Sequence, residues 1–341
     1  MLHRRFLALG ALICAGCTVP EPPDAVWVTI PPGASLAAVA DTLAAYDIVR
    51  SAGAFRRYAR IGRKHLGIKP GTYPLRARTP MGKVLVLLRQ GTPPVERIVI
   101  HARANLAETA LTLEQWLGIP AESTLAAAAD SALRARLGVT SATIEGYLFP
   151  TAYYVPVPAT ALDVLRQMAD TFEARWRPRW GARLDALGLT RHELVTLASI
   201  IEGEVIYDDD RPNVSSVYHN RLRTGMRLQA DPTVVYALGR RRRLYHGDYD
   251  IESEYNTYRI NGLPPGPIAQ PSLASLEAAL YPPETDYLYF VAGRDSRHLF
   301  SRTYREHLNT IRRVRVRSAT GRAESERLTE AERETAPATG S

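Results

Sequence analysis

At 341 residues the chain is long enough for two domains of ordinary size, each with its own core. An apolar content of 45% with 23% charged residues belongs to a soluble globular protein rather than a membrane-embedded or disordered one. The formal charge of +8 comes largely from arginine and suggests an anionic neighbour, but only Arg240–Arg243 forms a dense basic run. No zinc-finger spacing or RNA-binding signature accompanies that run, so nucleic acid is not an expected partner.

In chain order, His3, Arg4 and Arg5 precede an apolar run from Phe6 to Gly16 that ends at Cys17. A basic start, a short apolar run and small residues form an export signal over residues 1–17, short of the roughly 20 apolar residues that span a bilayer comfortably. Ile13-Cys14-Ala15-Gly16-Cys17 resembles a bacterial lipoprotein box with Cys17 as the lipidated residue; the alternative is an uncleaved signal anchor. Cys14 and Cys17 are the only cysteines, and their C-x-x-C spacing is a poor redox or metal motif inside an apolar export segment. Residues 18–25, with Pro20, Pro22 and Pro23, read as a stiff tether.

Val26-Trp27-Val28-Thr29-Ile30 alternates like a strand and stops at Pro31-Pro32-Gly33. Ser35 is placed to cap a helix with Leu36, Val39, Ala40 and Leu43 on one face. Ala54–Ile61 reads as a second helix, Lys69–Leu75 as a turn into a strand, and Met81–Leu88 as a short helix. This β-α-α-β order over residues 26–93 suggests a small binding module. The pattern changes after it: a strand at Arg97–Ile100, helical stretches at Leu106–Leu117 and Leu125–Leu137, and a turn-rich segment at Ile144–Pro156. Ala161–Trp176 is another helix, and Thr190 with Glu193 forms a capping box that opens the next. A strand follows at Tyr287–Val291, and residues 318–341 have the composition of a disordered tail.

Glu202, in the stretch Leu197–Val205, is the leading candidate for chemistry. At about 100° per residue, Leu194, Leu197, Ala198, Ile201 and Val205 share one broad apolar face, and Glu202 points between Ala198 and Val195. Its carboxyl would be at least partly desolvated, and a proton donor at neutral pH needs a desolvated carboxyl. Read alone, it is more readily a rim residue, snorkelling or salt-bridged, than an acid. Glu204 is the obvious second carboxylate, but it points about 160° away and cannot serve the same face of one sugar ring. Four segments carry dense polar and turn residues: Ile144–Pro156, the Glu202 helix, Asn220–Gly239 and Ser253–Leu280. Their recurrent tyrosines, Asn and Gln suit sugars, which offer hydroxyls to bond and flat faces to stack.

Together with Asp286–Gly293, these segments resemble the endolytic murein (peptidoglycan) lytic transglycosylases, the MltG or YceG-like family, from about Val26 to Ile311. The resemblance implies an α+β fold: a LysM-like module over 26–93 and a YceG-like catalytic domain over 94–317. It implies cleavage of the MurNAc–GlcNAc β-1,4 bond in nascent glycan with 1,6-anhydro ends, terminating strand growth, without metal or cofactor. It assigns the acid to Glu202, in Ser199-Ile200-Ile201-Glu202-Gly203-Glu204, acting alone as acid and base. Glu145, Gln229, Asp231, Tyr255 and Asn256 are the expected substrate-binding residues, although Asp231 reads equally as a helix cap and Glu145 as a structural acceptor. Glycan strands, a peptidoglycan synthase of the penicillin-binding class and the membrane, through the N-terminus, are the expected partners. The expected location is the periplasmic face of the inner membrane, with the outer membrane as the lipoprotein alternative. The chain departs from the family pattern at Gly203, where relatives carry a bulkier residue, and at His101-Ala102-Arg103, where they often have Pro-Glu-Gly. The competing reading is a wall-binding lipoprotein with an inactive catalytic domain.

Overall fold

The computed structural model describes residues 25–91, 95–293 and 295–314. The expected export signal, Cys17, most of the tether and the tail lie outside the described residues. The chain divides into two compact units between Val95 and Glu96.

In the first unit, β1 (Ala25–Ile30) pairs antiparallel with β2 (Gly71–Arg76), Ala25 opposite Arg76 and Ile30 opposite Gly71. The alternation turns Val28 and Ile30 inward beside Tyr73 and Leu75. Ser35 caps α1 (Leu36–Ala45) by accepting from the Ala38 N–H at 3.2 Å, and Ser51 caps α2 (Ala52–Arg60) from the Ala54 N–H at 3.3 Å. These helices bury Val39, Ala40, Leu43, Phe55 and Ala59, and α3 (Met81–Gln90) adds Val84, Leu85 and Leu88. Each large apolar side chain so buried contributes roughly 1.5–3 kcal/mol.

The second unit is mixed α+β and mostly helical. β3 (Val95–Val99) pairs with β4 (Ala152–Pro156), with α4 (Leu106–Leu117), α5 (Ala121–Ala128) and α6 (Ser131–Leu137) between them in sequence. The single helical stretch expected at Leu125–Leu137 is two helices. Asp130 breaks it, because its side chain accepts from the Leu133 N–H at 2.8 Å and starts a new helix. Then come α7 (Ala161–Arg175), α8 (Trp180–Leu187), α9 (Arg191–Glu204), α10 (Arg211–Arg223), α11 (Asp231–Ala237) and α12 (Leu273–Leu280). An antiparallel hairpin, β5 (Tyr289–Ala292) with β6 (His298–Ser301), and a final helix, α13 (304–314), complete it.

Thr190 and Glu193 form the expected capping box at the start of α9. The helix is not amphipathic as expected. It is buried from Leu194 through Glu202 on all sides, because α10, α11 and α12 all pack against it. Among the described residues no helix is long and apolar enough to cross a membrane.

Candidate active site

Glu202 and Glu204 leave the last turn of α9 in different directions and meet different surroundings. Glu202 is 3% exposed. One oxygen accepts from the Ser272 N–H at 2.9 Å and from the Ser272 hydroxyl at 2.5 Å; the other faces Arg211 Nη2 at 3.4 Å. Ser272 is the N-cap of α12, so Glu202 closes the positive end of that helix. Arg211 is itself buried and also bonds Ser275 and Asp208. The neighbours expected from the helical projection were Ala198 and Val195. The carboxylate instead sits in a buried polar joint between α9, α10 and α12, with both oxygens facing donors of the fold.

Glu204 is only partly buried and faces the other side of the helix. Its Oε1 accepts from the Tyr218 hydroxyl at 2.7 Å. Burial pushes its carboxyl up to about 7; the Tyr218 hydrogen bond opposes this, the charge of Asp231 adds to it, and Arg103 and Arg221 pull it back. Asp231, the first residue of α11, is exposed and accepts from the Tyr258 hydroxyl at 2.6 Å, and the Tyr258 ring lies 4.6 Å from that of Tyr249. Asp231 of the third segment and Tyr258 of the fourth therefore lie on the Glu204 side, while Ser272, later in the fourth segment, engages Glu202.

Gly203 explains how α11 comes so near. A Cβ there would lie 2.7 Å from the Cβ of Pro232, so the missing side chain is the space into which α11 packs. Arg103 approaches from a third direction. Its guanidinium donates to the carbonyls of Gly203 at 2.7 Å and Val205 at 3.4 Å, at the exposed C-terminal end of α9. Its φ of +72° is a left-handed conformation that glycine adopts freely and arginine at a cost. The Pro-Glu-Gly turn that the family resemblance leads one to expect would put glycine at this position. A cleft of about 320 Å³ opens beside it, bounded by Ile100, His101, Arg103, Thr112 and Arg241.

Glu145 lies in the wall of the site, 3% exposed. It accepts from the Leu106 N–H at 2.7 Å, where α4 begins, and from Gln270 Nε2 at 2.5 Å, and burial pushes its carboxyl up to about 8. Gln270 also accepts from the Leu148 N–H at 2.9 Å, and its backbone pairs with Arg103 and Ala104, so one residue ties its own loop to two others. Gly146, at φ +83°, allows this packing; a Cβ there would lie 2.4 Å from Pro267. Asn256 is fully buried and spent within its own loop, donating to the carbonyls of Tyr249 and Ile251 at 2.9 Å. Glu145 and Asn256 are thus braces, not the sugar contacts expected of them. Gln229 is exposed beside Asp231 at a φ of +51°, and Tyr255 lines the same side with its ring 4.9 Å from that of Tyr236. Two of the four residues Arg240–Arg243 are neutralised: Arg241 by Glu108, and Arg242 by Asp248 at 2.6 Å.

Sequence reasoning missed Arg103, Tyr218, Arg221, Tyr258 and Gln270 as site residues. For Arg103 the signal was its place in a segment that departs from the family pattern; for Tyr258 it was membership of a segment singled out, whereas Tyr218 lies two residues before one and carried no signal. Glu204 was seen and set aside, because the projection showed that the two acids diverge but not which side was open.

The chain is similar to known proteins over most of its length. The profile of the YceG-like family matches residues 28–313. The endolytic murein transglycosylase of Bacillus subtilis is 32% identical over 323 residues, covering 88% of this chain and 89% of the relative. That of Streptococcus pneumoniae serotype 2 is 28% identical over 78% of this chain, which spans about half, 54%, of its length. A crystal structure of a YceG-like protein from Listeria monocytogenes superposes with a TM-score of 0.59 at 28% identity, over 84% of this chain and 99% of that one.

Proposed function

The chain belongs to the YceG-like family, and from that premise we propose that it is an endolytic lytic transglycosylase of peptidoglycan in which Glu204, not Glu202, is the proton donor. The observation that carries the reassignment is the pair of environments: Glu202 is consumed by Ser272 and Arg211, whereas Glu204 is partly open among Tyr218, Asp231 and Arg103 with a carboxyl poised near 7. In the reaction the protonated Glu204 gives its proton to the glycosidic oxygen of the MurNAc–GlcNAc β-1,4 bond as that bond breaks. The resulting carboxylate takes the proton of the MurNAc C6 hydroxyl while that oxygen bonds C1, closing the 1,6-anhydro ring. The acid is thereby restored and no water is consumed. Tyr218 holds the carboxyl in place, and Asp231, steadied by Tyr258, offers negative charge to the oxocarbenium-like transition state. Gln229 and Tyr255 supply polar and stacking contacts to the sugars.

The same reading makes the first unit a LysM-like module and holds the chain at the membrane through its N-terminus, facing newly made glycan beside a synthase. Glu204→Gln is expected to keep the fold and lower the release of anhydro-ended fragments from uncrosslinked strands by about 10²–10⁴-fold, read by mass spectrometry. Glu202→Gln is expected to lower thermal stability and retain cleavage. A folded Glu202→Gln variant that makes no fragments, beside an active Glu204→Gln, would return the role to Glu202. Hydrated ends would mean a hydrolase, and intact strands a binding protein.

A further inference from the structure

The charge of this protein is concentrated in one place. Residues 25–91 hold eleven Arg and Lys against two Asp and no Glu, a net +9 where the whole chain carries +8. One of the two acids, Asp47, is already paired with Arg78 at 2.9 Å. The densest stretch is Arg56–Lys69, with six basic residues and no acid. Arg57 and Arg60 are exposed on the last turn of α2, and Ile61, the residue just past its end, is 64% exposed. Arg63 and Lys64 follow around the next turn to Leu66, 53% exposed. Among the described residues none of these cations is ion-paired to a carboxylate. Isolated basic residues are ordinary solvated surface; a cluster of them around protruding aliphatic side chains fits an anionic layer over an apolar one.

We propose that this edge of the N-terminal unit docks onto anionic phospholipid, with Ile61 and Leu66 entering the headgroup boundary. The inference rests on the reading that the N-terminus is held at a membrane. The tether of residues 18–24 reaches at most about 25 Å when extended, so an attached module samples the surface continually. Within a Debye length of about 8–10 Å the basic cluster then feels the lipid charge. Glycan strands favour the other chemistry, aromatic stacking and neutral hydrogen bonds, and the exposed residues of this edge supply neither.

The test uses the full-length chain inserted in vesicles, with Leu66→Trp as a reporter read by difference against the parent and lipids brominated in the acyl chain as quenchers. In vesicles containing phosphatidylglycerol the reporter is expected to shift to the blue and be quenched. It should do neither in phosphatidylcholine alone, nor in about 0.5 M salt, where screening shortens the electrostatic reach to a few ångströms. Reversing Arg57, Arg60, Arg63 and Lys64 to Glu is expected to lower the ratio of docked to undocked module by more than about 100-fold, at roughly fivefold per residue. Equal emission in both lipids overturns the proposal, and so does a reporter that responds to added glycan strands and not to phosphatidylglycerol. Neither readout involves glycan cleavage, so the proposal can fail while the catalytic assignment stands, and the reverse.

Discussion

Glu202 and Glu204 show how little a residue's type says about its role until its neighbours are known. Both are carboxylates on the same turn, separated by Gly203. One is tied into a helix cap and the other is held near 7 by burial, so their chemistry diverges completely. Because the donor must be protonated, cleavage should be fastest below about pH 7 and fall about tenfold per pH unit above it. The charge of Arg103 lowers the Glu204 value, so Arg103→Gly should move this alkaline limb to higher pH while leaving the low-pH plateau nearly unchanged. Glycine also accepts the +72° φ without strain, so a collapse in expression is not expected. A pH–rate profile checks both statements. Gly203→Ala is the steric counterpart. Helix propensity alone favours alanine by roughly 1 kcal/mol, but the new Cβ would meet Pro232 at 2.7 Å. Overpacking of this kind costs about 1–3 kcal/mol, so the variant should be less stable by thermal melting and less active because Asp231 is pushed outward.

At the level of elements, most of the fold was legible in the sequence. Strand alternation marked β1, and Ser35 and the Thr190–Glu193 box marked helix starts where they occur. Asp130 escaped notice because its capping competes with an alanine-rich stretch whose propensity favours one continuous helix. The site was less legible because α9 is surrounded by other helices. An amphipathic helix reveals its inner side through its apolar stripe; a helix buried all round has no stripe to read, and the open side is decided by partners distant in sequence. The joint between α9 and α12 carries its own prediction. Ser272→Ala removes the hydroxyl that donates to Glu202 and accepts from the Ser275 N–H at 3.3 Å. It should destabilise by about 1–3 kcal/mol in chemical denaturation, more than an ordinary cap, because a buried carboxylate loses a donor.

For the molecule as a whole, net charge and chemistry are kept apart: the excess of positive charge lies in the first unit, which has few acids, and the acid–tyrosine site in the second. The second unit is closed by contacts between residues very distant along the chain. Gln270 reaches Glu145 across 125 positions and Leu148 across 122, and Ser272 reaches Glu202 across 70. Contacts of such separation form late, since most of the intervening chain must be ordered before they become favourable. Recovery of cleavage after dilution from denaturant should therefore lag the return of helical circular dichroism, and simultaneous recovery would contradict this order. A wall-cutting enzyme that needs fasteners about four-fifths of the way along its chain, and others beyond them, should not act on glycan while half-built, so its synthesis carries its own safety catch.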